Sequence, residues 1–483
     1  MATMNAEQYI ESLRRMKTEV YHLGERIDNF VDYPPIRRHI NAAAETYNAA
    51  VDPLYEYLGS AHSHLIGEKV NRFAHIHQST DDLVREMRLL RALSQKTGSC
   101  YQRCVGNDAL NALYSVSYEM DLKGSTDYHR RFVDYVKYVQ AHDLMVDGGM
   151  TDVKGDRSLR PSQQADPDLY LRVVERRTDG IVVRGAKAHQ TGSVNSHEFL
   201  ALPTRDLAQA DADYAVAFAV PSDAPGVIHI FGRQTNDGRV LEGGDIDQGN
   251  ARYGVVGGEC LVVFDNVFVP WKRVFMCGEH EFAGSLVERF ASYHRSRYGA
   301  CKGGVADILV GAVVAIAEYN GVANSNHVRD KIAEMVHLTE TVFCCSIASA
   351  TQGYKTSSGN FIVDSLAANV TKHNITRYIY EVARLAQDIA GGLVATMPSE
   401  KDLRHPKVGK YVEKYFKGVA NVPTEHRMRV VRLIENMTGG TALVEAMHGA
   451  GSPQAQRIMM LRQANLEQKK LLALHLAGVP VKD

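Results

Sequence analysis

The sequence lacks an excess of charge of either sign. Its 55 lysines and arginines stand against 56 aspartates and glutamates, a formal charge of −1. That balance argues against nucleic acid or an anionic membrane as the main partner. A long apolar run is also missing. The longest, ILVGAVVAIA at 308–317, has about half the length a membrane-spanning helix needs. The opening MATMNAEQYIESLRRM is polar and carries no apolar stretch of the kind a secretory signal requires. Seven cysteines, an odd number, are scattered through 483 residues. A secreted disulfide framework would be denser and even, so the expectation is a cytoplasmic protein with reduced thiols. There is no internal repeat, low-complexity tract or charged tail. No G-x-G-x-x-G joins a strand to a helix, so a Rossmann dinucleotide site is unsupported.

What is present is ordinary globular material, 45% hydrophobic and 23% charged. The length suggests two or three domains, with ample chain to bury a core. AEQYIESLRRMKTEVYHLGERI and DDLVREMRLLRALSQKTGSCYQRCV repeat apolar residues at helical spacing, which predicts a helical domain over 1–147. LYLRVVER at 169–176, the turn Thr178-Asp179-Gly180 and IVVRGAKAH at 181–189 read as a hairpin. DYAVAFAVP, GVIHIFGRQ and CLVVFDNVFVP continue a central antiparallel β domain over 148–275. Helical periodicity then returns over 276–483, in segments 281–301, 306–319, 325–353, 361–391, 424–437 and 454–476. The order helices, strands, helices predicts an α+β chain with a C-terminal helical bundle, and rules out a doubly wound parallel sheet.

The sulfur and nitrogen donors fall in two places. In SCYQRCVG, Cys100 and Cys104 stand four apart, a spacing that would put both thiols on one helix face. In SYHRSRYGACKGG, His294 and Tyr298 are one turn apart and His294 and Cys301 are two turns apart. Two helices presenting such donors can clamp one metal centre. The same residues also suit plain packing, since helical cysteines commonly act as small hydrophobes. Three Cys and one His suit zinc, and long ligand-bearing helices suit a larger iron–sulfur centre. Cys260, Cys277, Cys344 and Cys345 are read as packing residues. Four donor-rich loops, DGGMTDVKGDRS at 147–158, AHQTGSVNSHE at 188–198, AGGL at 390–393 and HGAGSPQAQR at 448–457, are either ordinary turns or a cradle for a phosphate-bearing cofactor. Ser452 and Pro453 predict the N-cap and first residue of a helix.

QKTGSCYQRCVG, MTDVKGDR, RGAKAHQTGS, SYHRSRYGACKGG, AQDIAGGL and MHGAGSPQAQRIM together closely resemble the 4-hydroxybutyryl-coenzyme A dehydratase family. That family belongs to a wider group containing the flavin-dependent 4-hydroxyphenylacetate 3-hydroxylases, with an acyl-coenzyme A dehydrogenase-like fold. The resemblance implies FAD and a 4Fe–4S cluster ligated by Cys100, Cys104, His294 and Cys301. It implies flavin contacts from Met150, Thr151, Lys154, Asp156, Arg157, His189, Gln190 and Thr191, with Ala390, Gly391 and Gly392 reaching a neighbouring subunit's flavin in a homotetramer. The implied reaction is radical dehydration of 4-hydroxybutyryl-coenzyme A to crotonyl-coenzyme A, with isomerisation of vinylacetyl-coenzyme A. Acid–base elimination alone fails there, because the thioester carbonyl activates C2 and not C3; a flavin able to accept one electron removes that obstacle. His294 is then the C2 base as well as a ligand. Tyr298 protonates the leaving hydroxyl, and Glu259 in VGGEC handles a second proton. Lys302 stabilises negative charge, and Glu445 is a further candidate.

Two other readings stay open on sequence grounds: a flavin-dependent aromatic monooxygenase, and a zinc-stapled helical protein without catalysis. Metal analysis of anaerobically purified protein separates the three. About four irons and four sulfides with FAD are expected for the dehydratase. FAD without iron marks the monooxygenase, and zinc without flavin marks the stapled protein.

Overall fold

The computed structural model describes residues 3–124, 126–235 and 237–480. The first predicted helix is shorter than its periodicity suggests. It runs Ala6–Arg14, capped by Asn5, and the chain then turns into a strand, Glu19–His22. This strand pairs in parallel with Val227–Phe231. Sheet hydrogen bonds and the alternate burial of Val20 and His22 override the local helical pattern. The N-terminal region is therefore not all helical, and it completes a sheet built mostly from the centre of the chain.

That sheet has six strands, in the order Glu25–Arg26, Glu19–His22, Val227–Phe231, Glu259–Pro270, Gly180–Thr191 and Arg172–Arg176. The hairpin expected around Thr178-Asp179-Gly180 is its outer antiparallel pair. A second sheet has four strands, Val274–Cys277, Val216–Pro221, Glu198–Ala201 and Val146–Gly149, the last pair parallel. The β region is thus largely antiparallel, with two parallel pairings. The sheets meet face to face through Phe199 and Phe218, whose rings lie 5.3 and 5.8 Å from that of Phe264. Within it, the strand Glu259–Pro270 carries Glu259 as its first residue, paired with Thr191.

The two predicted segments 281–301 and 306–319 form one helix of 37 residues, Ala283–Tyr319. It packs against the helices Thr80–Thr97, Cys104–Lys123, Asn326–Thr351 and Ser365–Ala390. Among the described residues, His280–Tyr319 is the one helical stretch long and apolar enough to cross a membrane by length and composition. The last predicted helix divides into Pro453–Gln463 and Leu466–Leu476. Ser452 caps the former, with Pro453 at its first turn.

Glycines let the long helix approach its neighbours closely. A Cβ on Gly299 would stand 2.4 Å from the Val342 carbonyl oxygen, whereas one on Gly311 would meet nothing within 4 Å. We therefore expect opposite effects from the same substitution on one helix. Gly311→Ala should stabilise by roughly 0.5–1 kcal/mol through reduced backbone entropy. Gly299→Ala should destabilise by about 1–3 kcal/mol through overpacking. Urea midpoints of the two variants check this.

Candidate active site

The two thiols of SCYQRCVG are not on one helix face. The helix Thr80–Thr97 ends at Gly98, whose φ of +60° is the left-handed cap that stops it. Asn250 reinforces the stop by donating its side-chain amide to the Thr97 carbonyl at 2.6 Å. Cys100 follows in a loop in which Gln102 also takes a positive φ, +64°. Cys104 is the first residue of the next helix, Cys104–Lys123. A loop thiol and a helix-start thiol are thereby aimed at the same space. The long helix supplies the rest as expected, with His294, Tyr298, Cys301 and Lys302 on adjoining turns.

The three thiols sense one another. Burial pushes the Cys100 thiol up, with Glu445 and Cys301 adding to it. Burial does the same to Cys104, joined by Cys100, Asp108 and Cys301. Cys301 is pushed up to about 11 by burial, against the pull of Lys302. Gly257 of VGGEC passes directly beside them; a Cβ there would lie 3.6 Å from Cys100 Sγ and 2.6 Å from Thr191 Cγ2. His294 Nδ1 lies 2.6 Å from Asp108 Oδ2. Donor atoms of Cys104, Asp108 and His294 all fall within 4.8 Å of one another, a spacing that suits a metal.

Behind these groups sits a buried cation, Arg297. It donates to Glu86 from Nε at 3.2 Å and Nη2 at 2.9 Å, and to the Cys104 carbonyl at 2.8 Å. It also bonds Asn107 Oδ1 at 2.5 Å and pairs with Asp108 Oδ1 at 2.5 Å. Burial would lower its pKa, but Asp108 and Glu86 hold it above the ordinary value.

The wall opposite carries titratable side chains. The Tyr298 hydroxyl donates to Glu445 Oε1 at 2.8 Å, and Lys302 forms an ion pair with the other carboxylate oxygen. Burial would raise the Glu445 pKa, yet Lys302 and Tyr298 bring it below the ordinary carboxylate value. Lys302 is therefore largely enclosed and paired. Lys372 Nζ donates to the Ala446 carbonyl at 2.6 Å and lies 4.3 Å from the Tyr298 ring centre. Burial pushes Lys372 down to about 7. Gly449 of the HGAGS loop is needed here, because a Cβ would stand 1.6 Å from the Tyr298 hydroxyl. Glu259 accepts from the Thr191 hydroxyl at 2.6 Å. Burial drives its carboxyl up to about 8, with Glu445 adding and Thr191 and Lys302 opposing.

The expected cofactor loops divide. The backbone of Met150 and Thr151 is tied to the strand Gly180–Thr191. Ala188 N and Gln190 Nε2 donate to the Thr151 carbonyl at 2.9 and 2.8 Å, and Lys187 Nζ donates to the Met150 carbonyl at 3.1 Å. Lys187 also pairs with Asp152 at 2.5 Å. Lys154, Asp156, Arg157 and His189 are exposed at the rim of this wall, which continues to Glu259 through Thr191. Ala390, Gly391 and Gly392 are not brought to the thiols of their own chain. They lie at the far end of the helix Ser365–Ala390, about 27 Å along it from Lys372 at 1.5 Å per residue. There they line a groove of about 370 Å³ with Lys331, Asp388 and Arg427. Of the other cysteines, Cys260 is buried, but Cys344 is exposed and so is not a packing residue in this chain.

Asp108, Arg297, Lys372, Gly257 and Gly449 were missed by sequence reasoning. Asp108 is four residues after Cys104 and Arg297 three after His294, so helical spacing from these two donor residues offered a signal for both. Lys372 had none, because only tertiary packing brings it to Tyr298.

Comparisons with known proteins agree with this geometry. Residues 5–276 match the family model for the 4-hydroxyphenylacetate 3-hydroxylase N terminal region, and residues 283–478 match its C terminal counterpart. The chain is 56% identical to a 4-hydroxybutyryl-CoA dehydratase/vinylacetyl-CoA-Δ-isomerase of Clostridium aminobutyricum, covering 99% of both. Among solved structures, an oxygen-tolerant archaeal 4-hydroxybutyryl-CoA dehydratase from N. maritimus superposes with a TM-score of 0.97 at 52% identity, covering 100% of this chain and 96% of that one. The oxygenase component HpaB of 4-hydroxyphenylacetate 3-monooxygenase, solved with FAD, shares the fold at a TM-score of 0.85 and 23% identity, covering 98% of each chain. With both halves matched and identity above one half over its whole length, the chain belongs to the 4-hydroxyphenylacetate 3-hydroxylase family, grouped there with 4-hydroxybutyryl-CoA dehydratase/vinylacetyl-CoA isomerase.

Proposed function

We propose that this chain dehydrates 4-hydroxybutyryl-coenzyme A to crotonyl-coenzyme A and isomerises vinylacetyl-coenzyme A to the same product. The observation that carries the reading is the convergence of three thiols, that of Cys104 buried and those of Cys100 and Cys301 largely so, and one imidazole on a wall of proton-handling groups. Cys100, Cys104, Cys301 and His294 would hold a 4Fe–4S cluster. The donor set fits: the Cys301 thiol makes a long contact of 3.7 Å to the Tyr298 carbonyl, and Cys100 and Cys301 each meet a backbone N–H, of Gln102 and Lys302, of the kind that suits a thiolate. Burial, with the neighbouring carboxylates and thiols, favours their protonated form, and a metal charge would compensate the thiolates. FAD would rest against Met150, Thr151, Lys154, Asp156, Arg157, His189, Gln190 and Thr191, with Ala390, Gly391 and Gly392 serving a neighbouring subunit in a homotetramer. We read the layout as acyl-coenzyme A dehydrogenase-like and the location as cytoplasmic. When bound, the flavin supplies one-electron chemistry and the cluster a Lewis-acidic iron.

The chain's own groups then divide the proton transfers. His294 is held at Nδ1 by Asp108, so Nε2 is the one nitrogen with a lone pair to offer; it would serve as the ligand, and as the C2 base only when released from that role. Burial keeps Tyr298 a neutral hydroxyl, suited to protonating the departing oxygen. Glu259, pushed up to about 8, carries a proton at neutral pH and can hand it on. Lys302 and Glu445 hold Tyr298 in place and balance charge beside the thiols.

Two outcomes test this. Cys104→Ala should retain FAD and secondary structure while losing the cluster and anaerobic conversion of 4-hydroxybutyryl-coenzyme A; unchanged turnover would refute the assignment. Glu259→Gln should slow turnover by roughly 10²–10⁴-fold. In the wild type, a needed proton on Glu259 is lost as pH rises through about 8, giving an alkaline limb that the variant lacks. The carboxyl must also take up a proton to fold above its ordinary value of 4.5. The variant is therefore expected to melt higher than wild type at pH 8. A rate profile without that limb in the wild type contradicts the role.

A further inference from the structure

The geometry points to Asp108 as a positioning residue that fixes His294 in its Nδ1–H tautomer and turns the Nε2 lone pair toward the three sulfurs. Asp108 lies one turn after Cys104 on the same helix and is fully buried. Its Oδ1 pairs with Arg297 Nη1 at 2.5 Å, and a guanidinium stays charged in proteins. Glu86 shares that cation from the other side, with Arg297 Nη2 at 2.9 Å. Paired with that guanidinium, the Asp108 carboxylate acts as an acceptor toward its other neighbour. Its Oδ2 lies 2.6 Å from His294 Nδ1, so the proton of that bond belongs to the imidazole. A neutral imidazole with Nδ1 protonated carries its lone pair on Nε2.

Among the described residues, no side chain is hydrogen-bonded to that nitrogen. The rings beside His294 are Phe290, at 5.8 Å, and Tyr298, edge-on at 5.3 Å. The Tyr298 hydroxyl is engaged with Glu445. Arg297 also bonds the Cys104 carbonyl at 2.8 Å, so one guanidinium orients the carboxylate and the peptide of a thiol ligand together. Outer partners of this kind fix the orientation of metal-bound imidazoles and raise their hold on the ion.

The inference rests on the ligand assignment proposed above. In Asp108→Asn, Arg297 should keep the amide oxygen and leave the amide N–H facing Nδ1. The imidazole proton then moves to Nε2, which can no longer bind a metal. The experiment uses dithionite-reduced holoenzyme carrying histidine labelled with ¹⁵N at Nε2 alone or at Nδ1 alone, read by pulsed EPR. Strong nitrogen coupling that follows the Nε2 label is the expected result. Coupling that follows Nδ1, or neither label in iron-replete protein, overturns the proposal; this wild-type arm decides even where the variant does not fold. In folded Asp108→Asn that retains FAD, the coupling should vanish and iron should fall from about four to about three per chain. A variant that keeps both contradicts it. Wild-type protein that binds no iron at all would sink the ligand assignment itself, and the tautomer inference with it, so the two failures are told apart by the iron content.

Discussion

A single buried guanidinium sets the register between the two elements that bring sulfur into this site. Arg297 rises from the long helix, donates to Glu86, Asn107 and the carbonyl of Cys104, and forms an ion pair with Asp108. Three of those partners belong to the helix Cys104–Lys123 and one to the helix Thr80–Thr97. Removing one partner from a buried ion network of this kind costs on the order of 3–5 kcal/mol, because it leaves a charge without compensation. The same network fixes Cys104, Asp108 and, through Asp108, His294. Thiol placement and imidazole orientation are therefore consequences of one electrostatic knot, and the apolar packing around it closes the remaining space.

Within that frame, environment gives similar side chains different tasks. Glu259 stands at the head of a strand with a threonine hydroxyl as its hydrogen-bond partner, and burial pushes its carboxyl up to about 8. Glu445 is equally enclosed, but Lys302 and the Tyr298 hydroxyl keep it ionised. Two lysines divide likewise. Lys302 is held charged by Glu445, whereas Lys372, whose partners are backbone carbonyls, is driven down to about 7. Close approach makes these contrasts possible. Gly257 lets the strand head pass beside Cys100, and Gly449 lets the HGAGS loop close on Tyr298.

Much of this was legible in the sequence where a period of 3.6 carries the information. His294, Tyr298 and Cys301 fall on successive turns of one helix, and that helix forms as its pattern indicates. The Thr178-Asp179-Gly180 hairpin and the Ser452-Pro453 helix start are equally local and equally readable. Tertiary choices were not. Glu19–His22 has helical periodicity but finds a strand partner more than two hundred residues away. The Cys100 loop looks like helix interior unless Gly98 is recognised as a left-handed cap. Lys372 carries no local mark of its place against Tyr298. The 390–392 segment sits far from the thiols of its own chain, so its part in any cofactor site depends on assembly.

The central claim is that Cys100, Cys104, Cys301 and His294 close on one inorganic centre. Anomalous diffraction at the iron edge from anaerobically grown crystals tests it most directly. The account predicts one iron–sulfur density bounded by the three Sγ atoms and His294 Nε2, with sulfur ligands at the roughly 2.3 Å expected of metal–thiolate bonds. Absence of iron signal at that position, or a lone zinc ion in its place, would contradict it.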